Sequence, residues 1–511
     1  MRKEIIILFT IFLVIGLPFI PYSNPVSAKG LIIAIGQEPT SIDQSLVYLG
    51  ADYIAVENWG EHLIDRDPNG ELKPGLVTSW KVEPNGKVIE FTLRKGVKFH
   101  SGDPLTAKDI EFSFERARAK NSTQRTRLSS MEKFEVIDDY RFKIHFKEPD
   151  VLFIPLQGNP MIVSKSYYDR VGEDKFAKQP VGTGPYKLVN YVPGEYVDIE
   201  RFEEYWGPKP SVKEVRFYFI AEDSTRVAKL KAGEADLIAS VPYTSVKDLE
   251  KDPAIKLVKS VPGHPTPLIQ FGTRNPKVPW HDRRVRLAMA YAINYDAIIK
   301  NLLLDIPKRY AVIAPYELGY DPNMKPYPYD PKKSKELLAE AGYPNGFEFQ
   351  FSWLVTGRAP MMRETVEAIA AYFEAASIRT KLLAEEVSAW NARRRAGKGP
   401  EAVYVAIDSN GAMAGSVDPC HFMTAILRTD AGFSVYSNPE YDKVLDEARA
   451  TMDDVKRGEL IKKAARIAHD DVAFIPIYST VPIFAMKKNV DFSPTRKYPF
   501  ELVRVKHITV K

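Results

Sequence analysis

The sequence predicts an α/β protein of at least two lobes, and three observations carry that prediction. Strand-like and helix-like patterns alternate along almost the whole chain, without heptads, low-complexity tracts or internal repeats. At 511 residues the chain is longer than one ordinary core supports. The run Gln179-Pro180-Val181-Gly182-Thr183-Gly184-Pro185-Tyr186 packs Gly and Pro where no element interior tolerates them, so the chain crosses there between folding units.

The elements follow in order. Arg2 and Lys3, the apolar run 5–17 and Val26-Ser27-Ala28 read as a secretory signal cleaved after Ala28. That run is shorter than the ~20 residues a spanning helix needs. No Cys stands near the cleavage site, so no lipid anchor is expected, and the mature chain is placed outside the cytoplasm. Residues 31–36 read as a buried strand, and 87–94 alternate like a half-exposed strand after the Pro84-Asn85-Gly86 turn. Thr106, with Asp109 three residues on, opens a helix through Ala119. A hairpin at 134–146 turns at Asp138-Asp139. Strands are expected at 196–201, 214–219, 347–353, 380–384, 402–407 and 475–485. Helices are expected at 224–232, 283–304, 331–341, 361–376, 439–452 and 455–469.

Composition excludes several classes. Net charge is +5 from 71 basic and 66 acidic residues, well mixed, so no nucleic-acid partner is indicated. The densest basic cluster, Arg393-Arg394-Arg395, reads as a solvated helix face. A single cysteine, Cys420, leaves no internal disulfide framework. There is no Gly-x-Ser-x-Gly, no His-Glu-x-x-His and no phosphate loop, and no pair of histidines has metal-ligand spacing. No cofactor or metal is expected.

Residues 71–114 read ELKPGLVTSWKVEPNGKVIEFTLRKGVKFHSGDPLTAKDIEFSF. From Pro74 and Trp80 through Leu93, Gly96, Phe99 and His100 to Pro104, Thr106, Asp109 and Phe114, this resembles the signature of the extracytoplasmic solute-binding receptors of peptide-type ABC importers (solute-binding protein family 5). The likeness continues at 180–186, Tyr205-Trp206-Gly207, 232–236, 282–286, Ala292-Ile293-Asn294-Tyr295, 329–331, 341–343 and 438–442. It implies the class II periplasmic-binding-protein fold, two hinged α/β lobes plus a small extra domain. Carried over, residues 29–58, 183–284 and 476–511 form lobe I, 59–182 the extra domain and 285–475 lobe II. It also implies a monomer that hands its solute to an inner-membrane permease driven by a cytoplasmic ATPase.

The resemblance supplies the candidate ligand contacts. Peptide-binding relatives hold the ligand ammonium with an Asp in a Trp-x-Gly-Asp-x-x-Asp/Glu-Pro loop. The corresponding stretch here is AIDSNGAMAGSVDPCHF, in which Asp418-Pro419 matches, the Trp is missing, and Gly415 stands in place of the ammonium partner. Asp408 takes that role if the loop carries an insertion; for Asp418 the alternative to ligand contact is a turn former before Pro419. Arg358 lies where relatives clamp a ligand carboxylate, a task suited to a planar guanidinium fork. Tyr48 and Leu49 fall at the side-chain pocket, with Tyr48 equally suited to plain packing. Trp390 is a further candidate contact or core residue, and Val387 replaces a Trp of the relatives. His264 and His421 lie in candidate cleft loops, and His100 is read as structural. An Arg without an ammonium partner favours an anionic, peptide-like solute. A secreted hydrolase and a peptide-holding chaperone on the same scaffold are the alternatives.

Overall fold

The computed structural model describes residues 30–47, 52–120, 122–126, 128–155, 160–263, 265–355, 359–396, 405–408, 418–494 and 503–511. Three sheets organise them. A seven-stranded sheet runs in the order Ile255–Lys259, Ile483–Lys487, Leu237–Ile238, Leu31–Ile35, Glu214–Phe219, Tyr196–Arg201, Tyr186–Val192. Leu31–Ile35 pairs in parallel with both neighbours and is buried almost throughout, as a central parallel strand covered on both faces must be. A five-stranded sheet runs Ile378–Glu385, Phe347–Leu354, Val405–Asp408, Leu268–Phe271, Phe474–Pro476, the first three parallel. The third sheet is antiparallel, in the order Val77–Val82, Val88–Leu93, Arg141–Phe146, Met131–Asp138.

Local chemistry explains several element ends. Thr106 donates its backbone N–H to Asp109 Oδ2 at 2.9 Å, closing the capping box of the helix Ala107–Arg118. The stretch 283–304, expected as one helix, is two: Arg283–Ala292 and Tyr295–Leu302. Ile293 adopts extended geometry, and Asn294 Oδ1 accepts from Ala297 N–H at 3.0 Å, so a local cap competes successfully with helix continuation. The stretch 475–485, expected as one strand, is also divided. Phe474–Pro476 belongs to the five-stranded sheet and Ile483–Lys487 to the seven-stranded one.

The chain therefore crosses between the two sheets twice, at 260–267 and 477–482. The crossings run side by side. Thr266 N–H donates to Tyr478 O at 2.8 Å, Ile477 N–H to Pro267 O at 3.0 Å, and Ser260 N–H to Pro482 O at 2.8 Å. Tyr243 adds a clasp from the seven-stranded side, its hydroxyl donating to Val481 O at 3.1 Å and accepting from Val481 N–H at 2.9 Å. The expected lobe boundary at 284/285 differs from this. Leu268–Phe271 already pairs within the five-stranded sheet, and Trp280 packs on Phe349 at 5.7 Å. A four-residue strand buried on both faces carries no periodicity, which is why the crossing was not visible at 260–267.

The Gly- and Pro-rich run 179–186 lies against the outgoing crossing at Asn58-Trp59. Gly184 N–H donates to Trp59 O at 3.2 Å and Tyr186 N–H to Asn58 O at 3.1 Å. His100 bridges the same backbone: its Nδ1 accepts from Gly182 N–H at 3.2 Å, so Nε2 carries the proton and donates to Gly184 O at 2.9 Å. Burial lowers its pKa to about 4, against an ordinary 6.5. A depressed histidine pKa means that the unfolded chain takes up the proton first. Stability is therefore intact above about 6.5 and is lost as pH falls from there towards about 4, by roughly 3 kcal/mol from this group alone. Chemical denaturation at pH 7 and 4.5 checks this; in His100→Gln the share due to this group should disappear, while that of His507, also lowered to about 4 by burial, remains, and the variant starts lower.

Candidate functional site

In open α/β sheets ligands gather beyond the carboxyl ends of parallel strands. In the five-stranded sheet those ends are Leu354, Glu385 and Asp408. Arg358, Val387 and Gly415 come after them in sequence, in the connections that leave these strands, and Tyr48 and Leu49 come in the connection after the strand Leu31–Ile35 of the seven-stranded sheet. Tyr48, Leu49, His264, Arg358 and Gly415 lie outside the described residues, as do the side chains of Val387 and Asp408. The backbone of Asp408 ends its strand opposite Leu268, at the exit of the first crossing.

Among the described candidates, Asp418 is committed to structure. It is 3% exposed, its Oδ2 accepts from Arg457 Nε at 3.1 Å, and its Oδ1 accepts from Cys420 N–H at 2.9 Å. Burial raises its pKa, with Arg457 opposing. The turn-former role is the one its contacts serve. Trp390 is buried with Leu354 and Val435, on the helix Val387–Ala396, which extends the helix face expected at 393–395 back towards the strand. His421 sits in the first turn of the helix Cys420–Leu427, and no group of three or more metal-ligating side chains occurs among the described residues.

The basic cluster on that helix needs a correction. Arg394 is not on a solvated face: it is 4% exposed, donating to Gln270 Oε1 at 3.0 Å and Phe433 O at 3.1 Å. Arg393 pairs with the buried Glu385 at 2.8 Å, at the carboxyl end of its strand. Two arginines thus bolt this helix to the five-stranded sheet and its neighbouring backbone. The signal was Trp390 and Arg394, four residues apart and so on one helix face. A runs-of-charge rule obscured it.

At the seven-stranded sheet Arg226 plays a comparable part, also unread in the sequence. It is 1% exposed and donates to Ile220 O at 2.6 Å, Ala221 O at 3.0 Å and Ser240 O at 3.0 Å, with Asp223 as its ion partner. Gly36 lies over the guanidinium, where a Cβ would come within 3.2 Å of it. One side chain therefore ties together the carboxyl ends of all three parallel strands of this sheet. The arrangement fixes the carboxyl ends of the parallel strands rigidly, which suits recognition. No nucleophile–base pairing forms part of it among the described candidates.

Comparison with known proteins now decides the family. Residues 71–432 match the model of the bacterial extracellular solute-binding proteins, family 5. The chain belongs to this family. It is 28% identical to the dipeptide-binding protein of Escherichia coli K12, over 94% of this chain and 95% of that protein. It is 27% identical to heme-binding protein A of Haemophilus influenzae, over 89% and 88%. Among solved structures, the periplasmic binding protein DppA of Helicobacter pylori, in complex with the peptide STSA, superimposes with a TM-score of 0.81 at 29% identity, covering 94% of this chain and 98% of that one. AgaA of Agrobacterium tumefaciens R10, in complex with agropinic acid, gives 0.79 at 25% identity, covering 94% and 98%. The fold is that of the class II periplasmic binding proteins, and members of the family are solute-binding receptors of ABC importers. No helix among the described residues is long and apolar enough to cross a membrane.

Proposed function

We propose that this family member captures a peptide-like solute, including anionic ones, between its two lobes and delivers it unchanged to a membrane permease powered by a cytoplasmic ATPase. The observation that carries the reading is the near full-length superposition on a receptor holding a short peptide. The paired crossings at 260–267 and 477–482 support it, because two short adjacent connections let the lobes swing as bodies while the solute selects the closed arrangement through contacts made only there. Secretion with cleavage after Ala28, no lipid anchor and action as a monomer belong to the same reading.

Lobe I takes the seven-stranded sheet, the extra domain the antiparallel one, and lobe II the five-stranded one. Arg358 is the anion contact, Asp408 the cation contact if the solute carries an ammonium, and Tyr48, Leu49, Gly415 and His264 line the remainder. A transport receptor of this kind binds at about micromolar, ~8 kcal/mol, which permits both capture and release.

Native mass spectrometry of the purified protein tests the proposal, and should find one small molecule per chain that survives incubation intact. Conversion of that molecule into a product would favour the hydrolase instead, and preferential binding of unfolded chains the chaperone. Once the solute is known and proves anionic, Arg358→Ala should weaken binding about tenfold to a hundredfold in calorimetry, the cost of a lost charged hydrogen bond. Unchanged affinity would remove Arg358 from the site.

A further inference from the structure

The extra domain is joined to its two neighbours by different chemistry. Towards the seven-stranded lobe it is bolted by charge. Arg504 donates to Asp65 at 2.8 Å, Lys506 to Asp65 at 2.7 Å, and Arg116 pairs with Asp43 at 2.9 Å. Glu61 is buried and accepts from Tyr205 at 2.8 Å and Trp206 at 2.9 Å. These bonds make extra domain and first lobe one body.

Towards the five-stranded lobe the described contacts are apolar. Half-buried Leu152 leaves the extra domain and packs against the second-lobe cluster that includes Phe422, Met423, Tyr441 and Leu445. Its neighbour Phe153 stays in the extra domain's own core. The turn that presents Leu152 is fixed at both ends, Asp150 accepting from Leu152 N–H at 3.1 Å and buried Arg66 donating to Pro155 O. Independently, the tip of the hairpin at Gly86, with Pro149 beside it, lies against Met452 between the helices Pro439–Ala450 and Asp454–Asp470. A Cβ on Gly86 would stand 3.1 Å from Pro149 and 3.4 Å from Met452.

Both contacts bridge bodies whose only covalent connections are the two crossings, so both must part when the lobes swing open. We propose that the extra domain is a latch: the Leu152 turn and the Gly86 hairpin close on the second lobe and stabilise the shut arrangement whether or not solute is bound. Apolar contacts suit the task because they are non-directional and part without stranding a buried charge. This inference rests on the two-lobed receptor reading.

Spin labels at Lys81→Cys on the extra domain and Lys463→Cys on the second lobe report the opening by pulsed electron resonance. Cys420 is buried and stays unlabelled. In protein stripped of solute, Met452→Glu should raise the long-distance population about fivefold, the size expected for losing one modest apolar contact. Met452 is 38% exposed, so the variant folds; Leu152→Ser should act in the same direction. Val455→Glu, at a position 78% exposed, is the control and should leave the distances unchanged. Identical distributions for Met452→Glu and the parent, or a parent that is fully open without solute, would overturn the latch. Failure of the receptor reading would appear differently, as no narrowing of the distances in any variant when a casein peptide digest is added.

Discussion

Gly182→Ala should cost at least ~4 kcal/mol of stability. A Cβ there would stand 2.0 Å from the carbonyl oxygen of Trp59, and the same backbone exchanges two hydrogen bonds with His100. Neither the carbonyl nor the peptide can yield without breaking the junction that joins the extra domain to the first lobe. Gly194→Ala is the informative contrast. Its φ of +76° disfavours a side chain, but open space surrounds it, so only about 1 kcal/mol should be lost. Calorimetry of both variants checks the pair, and because the protein has several cores, Gly182→Ala should also separate the extra domain's transition from the rest. A melting profile like that of Gly194→Ala would show that the junction tolerates displacement.

Arg457→Met should destabilise by about 3–5 kcal/mol at pH 7, because it leaves the carboxylate of Asp418 buried without its counter-charge. The pH dependence gives the sign. Burial already raises the Asp418 pKa and Arg457 opposes that rise, so removing Arg457 raises it further. A carboxyl whose folded pKa exceeds its unfolded value favours the folded state when protonated. The deficit should therefore be greatest at neutral pH and shrink as pH falls towards about 4. Asp418→Asn should cost less, since the amide oxygen can still accept from Cys420 N–H. It should also leave solute affinity within about twofold, because both carboxylate oxygens are already engaged within the protein. A large loss of affinity in Asp418→Asn, without loss of stability, would return Asp418 to the ligand site.

Much of the architecture was legible because periodicity is a local property. The alternation at 88–93 and the helix starting after Thr106 needed no knowledge of distant partners. Family membership was legible in 71–114 for a different reason: order and spacing of many residues are specific even when each is not. What escaped were features decided by tertiary partners. The strand Leu268–Phe271 is too short to show a period, and the division of 475–485 depends on which sheet each half can join. Arg226 and Arg394 look like surface charges in sequence, yet each is buried because backbone or amide oxygens await it. The proposed solute contacts Tyr48, Leu49, His264, Arg358 and Gly415 lie outside the described residues. Asp418 illustrates the hazard: a motif match located it, but only the position of Arg457 reveals its occupation.

The strand order of the seven-stranded sheet has a consequence for biogenesis. Ile483–Lys487 is an interior strand, lying between Ile255–Lys259 and Leu237–Ile238, whereas the five-stranded sheet is complete once Phe474–Pro476 exists. A ribosome therefore finishes every strand of the second sheet while the first still lacks the strand that joins Ile255–Lys259 to the rest. The nascent polypeptide cannot seat Ile255–Lys259 in its sheet until Ile483–Lys487 emerges beside it.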